Sequence, residues 1–379
     1  MNSISKKRIM LLSSFLIIAA MITITSFIYS NKKSKAASAR LDLNQKQLLL
    51  LNNYLYLENS ADNISIKDRI NSLKTDGKID KSKLNITASG IRPSNMVKAL
   101  EDLEKDKLLM SLVPVYTLET EIRAVCFVPK ENVNKVNAEA VLVFLGTKPI
   151  ENAWLDCLAG SYNSDTPLQL EAAAFHKKIS EKYTVTNVTG HSKGGNLSQY
   201  ITVTNGDKIR KCVSFDGQGF SDLFIDKYKD LIAKNSSKIL TIASFKEPVH
   251  MLLTNISGET INIKTDDEVD PLSSHVSSYL YDENFFDENG NYKEETYTEA
   301  SKFAVNVGKL AQFLVTKLDD SQLQSISEGA APSLTYVVTL LQEAMENEDD
   351  KIIKALYEEI KERFEENKHS RNEEIIPNN

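Results

Sequence analysis

A chain of 379 residues, 41% of them hydrophobic, can bury a large core, and one sizeable domain with additions is the natural expectation. The formal net charge of −7 comes mostly from the C-terminal end, where Leu341 to Asn379 carries ten Glu and two Asp against four Lys and two Arg, so nothing suggests a nucleic-acid surface. Cys126, Cys157 and Cys212 are an odd count without C-x-x-C or metal-ligand spacing, and Cys126 and Cys212 sit in strand-like apolar runs, which reads as core thiols over a disulfide framework; no metal or organic cofactor is expected.

After Lys6-Lys7-Arg8 the run from Ile9 to Ser30 holds no charge. As a helix it spans roughly 33 Å at 1.5 Å per residue, enough for a bilayer core of about 30 Å. Residues 1–30 are therefore expected to be a transmembrane anchor or a signal peptide, and 31–40 a linker. Ala37-Ser38-Ala39 offers a cleavage site behind the span. Lysines on both sides nearly balance the positive-inside rule; the signal-like layout favours an extracytoplasmic domain, tethered, or secreted if cut near Ala39.

The remaining elements follow in order. Leu41 to Asn59 reads as a helix with Leu48, Leu51, Tyr54 and Leu55 on one face. Ser60 to Pro93 is polar and punctuated by glycine, and Asn95 to Lys107 is a helix. VPVYTL and IRAVCFV, on either side of Glu119-Thr120-Glu121, predict a hairpin at a sheet edge. A strand over Glu139 to Leu145 runs into Gly146-Thr147, and an amphipathic helix over Pro167 to Lys182 follows.

Next come the β-branched residues Thr184, Val185, Thr186, Val188 and Thr189, then Gly190-His191-Ser192-Lys193-Gly194-Gly195, then a helix start at Asn196 to Tyr200. Strand, G-x-S-x-G and helix make a nucleophile elbow, a tight turn that exposes its central serine at the carboxyl end of a strand. Ser192 is the candidate nucleophile. The bare pattern is weak, and its context gives it weight. Two backbone N–H groups stabilise the oxyanion in such a site, one of them on the residue after the nucleophile, here Lys193, and the other in a loop like Gly146-Thr147.

The strand Lys211 to Phe215 ends at Asp216, and the strand Ile239 to Phe245 ends near Glu247; both carboxylates stand as candidates for the triad acid. His250, in VHMLL, reads as a packing residue. His275, in the loop after the strand Glu259 to Lys264, is the candidate base, since it follows serine and acid in the order this fold uses. His176, His191 and His369 are less suitably placed. From Tyr297 onward the pattern is helical, in KFAVNVGKLAQFLVTKL, SLTYVVTLLQEAMEN and IIKALYEEIKERFEENK.

GHSKGGNL resembles the elbow of the class 3 lipases of the α/β-hydrolase superfamily, and more closely that of a bacterial family of lipase-like proteins. VFLGT with NAWLDCL is similar to that family's FRGT and W-x-x-D landmarks: Phe144, Gly146, Thr147, Trp154 and Asp156 match, while Leu145 stands where the family has arginine. FDGQGF resembles FDGPGF, and SSHVSSYL the D-H-L-S-Y-F segment of class 3 lipases. The class 3 resemblance implies Glu247 as the acid, whereas in the closer family that position is often not acidic. The resemblance spans about Leu48 to Tyr281.

The expected architecture is thus an α/β-hydrolase domain over 41–296, with a helical extension over 297–379. The expected activity is a serine esterase or lipase acting on lipids or acyl esters. Two alternatives stay open: a thioesterase or acyltransferase on the same triad, and an inactive, membrane-anchored binding module.

Overall fold

The computed structural model of the protein describes residues 40–317, apart from 59, 61–63, 87–92, 148–155, 158, 267 and 272. The charge-free run at 9–30, Trp154, His369 and the last two expected helices lie outside the described residues. Among those described, no helix is long and apolar enough to cross a membrane.

The chain opens with helix α1 (Gln45–Leu55), which starts where Asn44 and Gln47 cap each other reciprocally. Helix α2 (Ile66–Ser72) and a two-strand ribbon, β1 (Lys74–Thr75) and β2 (Lys78–Ile79), follow, then α3 (Pro93–Lys105) and α4 (Lys107–Ser111). The expected edge hairpin is β3 (Leu112–Glu119) with β4 (Arg123–Pro129), and β5 (Ala138–Phe144) lies antiparallel to β4. Helix α5 (Pro167–Ser180) begins at a second reciprocal cap, Thr166 with Gln169, with Pro167 at its first position. Then come β6 (Tyr183–His191), α6 (Lys193–Asn205), β7 (Lys211–Phe215), α7 (Asp222–Asn235), β8 (Ile239–Ser244), β9 (Glu259–Ile263), β10 (Tyr297–Thr298) and α8 (Lys302–Lys317).

Strands β3 to β10 form one eight-stranded sheet in strict chain order. From β5 to β9 every pairing is parallel, so the carboxyl ends of these five strands open on the same edge. Parallel strands bury both faces, and β5 shows it: Ala140, Leu142 and Phe144 enter the core under α5, α6 and α7, while Val141 and Val143 enter the core under α1 and α3. The result is an α/β fold of three layers. One expected boundary moves. The division at 296 falls inside this sheet, because Tyr297 pairs with Ile263 and Thr298 with Asn262 to make its last strand.

Candidate active site

Ser192 stands between β6 and α6 with φ 57° and ψ −123°, a conformation that costs a non-glycine residue about 1–3 kcal/mol. The turn is over-determined around it. The Ser192 N–H donates to the Phe215 carbonyl at 2.8 Å, and the Asn196 N–H returns to the Ser192 carbonyl at 3.1 Å. A Cβ on Gly190 would lie 2.2 Å from the Gly194 carbonyl oxygen, and one on Gly194 would lie 2.4 Å from that of Phe144. Only glycines let strand, turn and helix approach this closely.

The Ser192 Oγ lies 2.8 Å from Nε2 of His275, in the 3-10 turn Ser273–His275 after β9. His275 Nδ1 lies 2.8 Å from Oε2 of Glu247, at the end of β8. Since a carboxylate accepts, Nδ1 carries the ring hydrogen and Nε2 is bare toward the serine hydroxyl. Glu247 is fully buried. Its Oε2 also accepts the Val249 N–H at 2.7 Å, and its Oε1 accepts the His250 N–H at 3.1 Å together with the His250 ring at Nδ1. Burial pushes the Glu247 carboxyl up, but the His250 and His275 imidazoles outweigh it and hold the group below the ordinary carboxylate range. Burial likewise opposes a charged His250, and the Glu247 carboxylate overcomes that, raising its proton affinity.

Asp216 takes another position. It is fully buried with φ 50°, its Oδ1 accepts the Ser244 N–H at 2.8 Å, and its Oδ2 stands 3.4 Å from His191 Nε2. Burial, reinforced by the Glu247 charge, drives its carboxyl well above the ordinary range. Of the two candidate acids, the structure brings Glu247 to the His275 imidazole and turns Asp216 toward His191.

His191 is itself built in. Its Nε2 donates to the His275 carbonyl at 2.7 Å, its Nδ1 accepts the Tyr56 hydroxyl at 2.5 Å, and its ring lies against that of His275 with centroids 4.9 Å apart. Burial lowers its proton affinity from 6.5 to about 4, which keeps it neutral. Burial, reinforced by the Asp216 charge, pushes the Tyr56 hydroxyl well above its ordinary range, and the neighbouring Gly146 backbone opposes this. The N–H groups of Gly146, Thr147 and Lys193 stand at this end of the sheet as the oxyanion candidates. The Lys193 N–H opens α6 and has no acceptor within the helix, while Thr147 is half-buried.

The Lys193 side chain is 2% exposed and forms an ion pair with Asp156, which also accepts the Thr166 hydroxyl at 2.7 Å and the Leu168 N–H at 3.2 Å. One carboxylate therefore ties the elbow to the start of α5. Among the described residues, His191, Asp216 and His275 could offer metal ligands within 4.8 Å of one another. Both nitrogens of each histidine already have hydrogen-bond partners, so the cluster is a hydrogen-bonded network rather than a metal cradle. Tyr56, His191 and His250 carry no sequence signal of this role beyond the spacing of His250, three residues after Glu247.

A family model described as Mbeg1-like, a lipase-like family, matches residues 118–320. A solved structure titled "Crystal structure of M37 lipase" is 13% identical, with 55% of this chain and 69% of that chain covered and a TM-score of 0.30. No curated protein matches the chain.

Proposed function

The chain belongs to the Mbeg1-like family, and we propose that this lipase-like protein is a serine hydrolase that cleaves carboxylic esters through an acyl-enzyme. The observation that carries the reading is the unbroken line from Ser192 Oγ through His275 to Glu247, with the serine held in a strained elbow.

In this reading His275 Nε2 takes the Ser192 hydroxyl proton as Oγ attacks the ester carbonyl. The imidazolium that forms is stabilised by Glu247, which stays ionised. The carbonyl oxygen, now negative, is held by the N–H of Lys193, at the positive end of α6, and by that of Thr147; one such donor is worth about 2.7–4 kcal/mol of barrier. His275 then protonates the departing alcohol. A water, deprotonated by the same ring, attacks the acyl-serine, and the acid leaves as Ser192 regains its proton. No step needs an electron acceptor or a metal.

The run 9–30, behind three basic residues, supports a membrane tether for this activity, with lipids or other acyl esters as substrates. The test is hydrolysis of p-nitrophenyl esters of graded chain length beside the matching thioesters and anilides. Ester cleavage that disappears in Ser192→Ala supports the reading, while cleavage of thioesters or anilides alone assigns the same residues another reaction.

A further inference from the structure

His250 sits in the 3-10 turn Val249–Met251 and is 3% exposed. No described neighbour makes a hydrogen bond to its Nε2, whereas its Nδ1 and its backbone N–H both go to Glu247 Oε1. The other oxygen of that carboxylate holds His275 Nδ1. Two imidazoles thus draw on one buried carboxylate, one at each oxygen.

The turn that carries His250 is fixed in place. Helix α8 crosses it so closely that a Cβ on Gly308 would lie 2.6 Å from the Met251 carbonyl oxygen. The described lysines of α8, Lys302 and Lys309, are exposed, so neither adds a buried charge. Lys246 turns away to the Val269 carbonyl. Among the described residues, the ionisable groups around the two rings include Glu247 on the acid turn, Asp216 at the end of β7, and His191 beneath His275 with the Tyr56 hydroxyl on its far nitrogen.

We infer that His250 is a positioning residue of the proposed hydrolase: by holding the second oxygen of Glu247 it fixes the carboxylate and sets how strongly Glu247 supports His275. The inference rests on the reading of Ser192, His275 and Glu247 given above. A carboxylate that shares its charge with a second donor is a weaker acceptor for the first. Without the His250 ring, Glu247 concentrates on His275 and stabilises its imidazolium more. The sign is the same whether the His250 ring is neutral or charged.

The experiment compares the full-length protein with His250→Ala and His250→Asn by two measurements. The first is the pH profile of kcat/KM on a short p-nitrophenyl ester. Its acid limb is expected to move to higher pH by roughly 0.5 or more in His250→Ala. His250→Asn, which keeps a neutral donor, is expected to move in the same direction by less, and it carries the test if the alanine variant does not fold. The second is the proton resonance of the His275 ring N–H, identified by its loss in His275→Ala. It is expected downfield of wild type in both variants, since its hydrogen bond shortens. A limb and a resonance that both stay put in folded variants overturn the inference, because a histidine that only fills space moves neither. If the wild type cleaves no ester, the hydrolase reading fails, while the resonance still decides the role of His250.

Discussion

The Asp216 carboxyl lies 3.4 Å from His191 Nε2, and with Asp216 turned that way the His275 imidazole belongs to Glu247. Asp216 accepts a backbone N–H at Oδ1 and is pushed by burial toward its neutral form. Asparagine preserves both that acceptor and that neutrality. Asp216→Asn is therefore expected to keep ester hydrolysis within about tenfold of wild type. Glu247→Ala is expected to lower kcat by about 10⁴, the cost of losing the group that orients and charges the base. Steady-state kinetics of the two variants checks the assignment, and the reverse order of effects would exchange the roles of the two acids.

The choice between these carboxylates shows how far the sequence alone reaches. Both follow a strand at its carboxyl end, and both have turn residues beside them. What separates them is backbone geometry: the Glu247 side chain folds back onto the N–H groups of Val249 and His250, which leaves one face for His275. No spacing rule expresses that. His250 is hidden for the same reason, since an isolated histidine in VHMLL looks like part of an apolar run. Tyr56 reaches His191 across 135 residues of chain, and only packing of α1 on the sheet brings them together. The elements themselves are more legible. β6 and β7 stand out as β-branched or apolar runs, and α5 is announced by Thr166-Pro167. Which face of β5 meets which helices is not legible, because a strand buried on both sides shows no alternation. The elbow is the most legible part of the site, because its glycines, its serine and its flanking elements are contiguous.

The buried pair of Lys193 and Asp156 makes a stability prediction. Removing one partner of such a pair leaves a desolvated charge and typically costs about 3–5 kcal/mol. Lys193→Met is expected to lose stability on that scale in urea unfolding, and Lys193→Met with Asp156→Asn to recover a large part of it. The backbone N–H of residue 193 is unchanged, so activity of the folded fraction is expected to persist. Equal destabilisation in the single and double variants would mean that the ion pair is not the cause.

His176 makes a prediction about acid. It is buried in α5, and burial lowers its proton affinity from 6.5 to about 4. The unfolded chain then binds a proton before the folded one does, so the stability this residue contributes is fully present above pH 6.5 and is lost as the pH falls toward 4. Between pH 7.5 and 4.5 that loss amounts to roughly 2–3 kcal/mol. Chemical denaturation at the two pH values is expected to show a smaller drop in His176→Gln than in wild type. An identical drop in both would place the acid sensitivity elsewhere.

If Ser192 is an activated nucleophile, a fluorophosphonate probe labels the protein at that residue, and a Ser192→Ala variant beside it gives the comparison. A hydroxyl 2.8 Å from a bare imidazole nitrogen is expected to react, and the label is expected at Ser192 and absent from the variant. A folded wild-type protein that takes up no label, or a variant that labels as well as wild type, would mean that Ser192 is not an activated nucleophile.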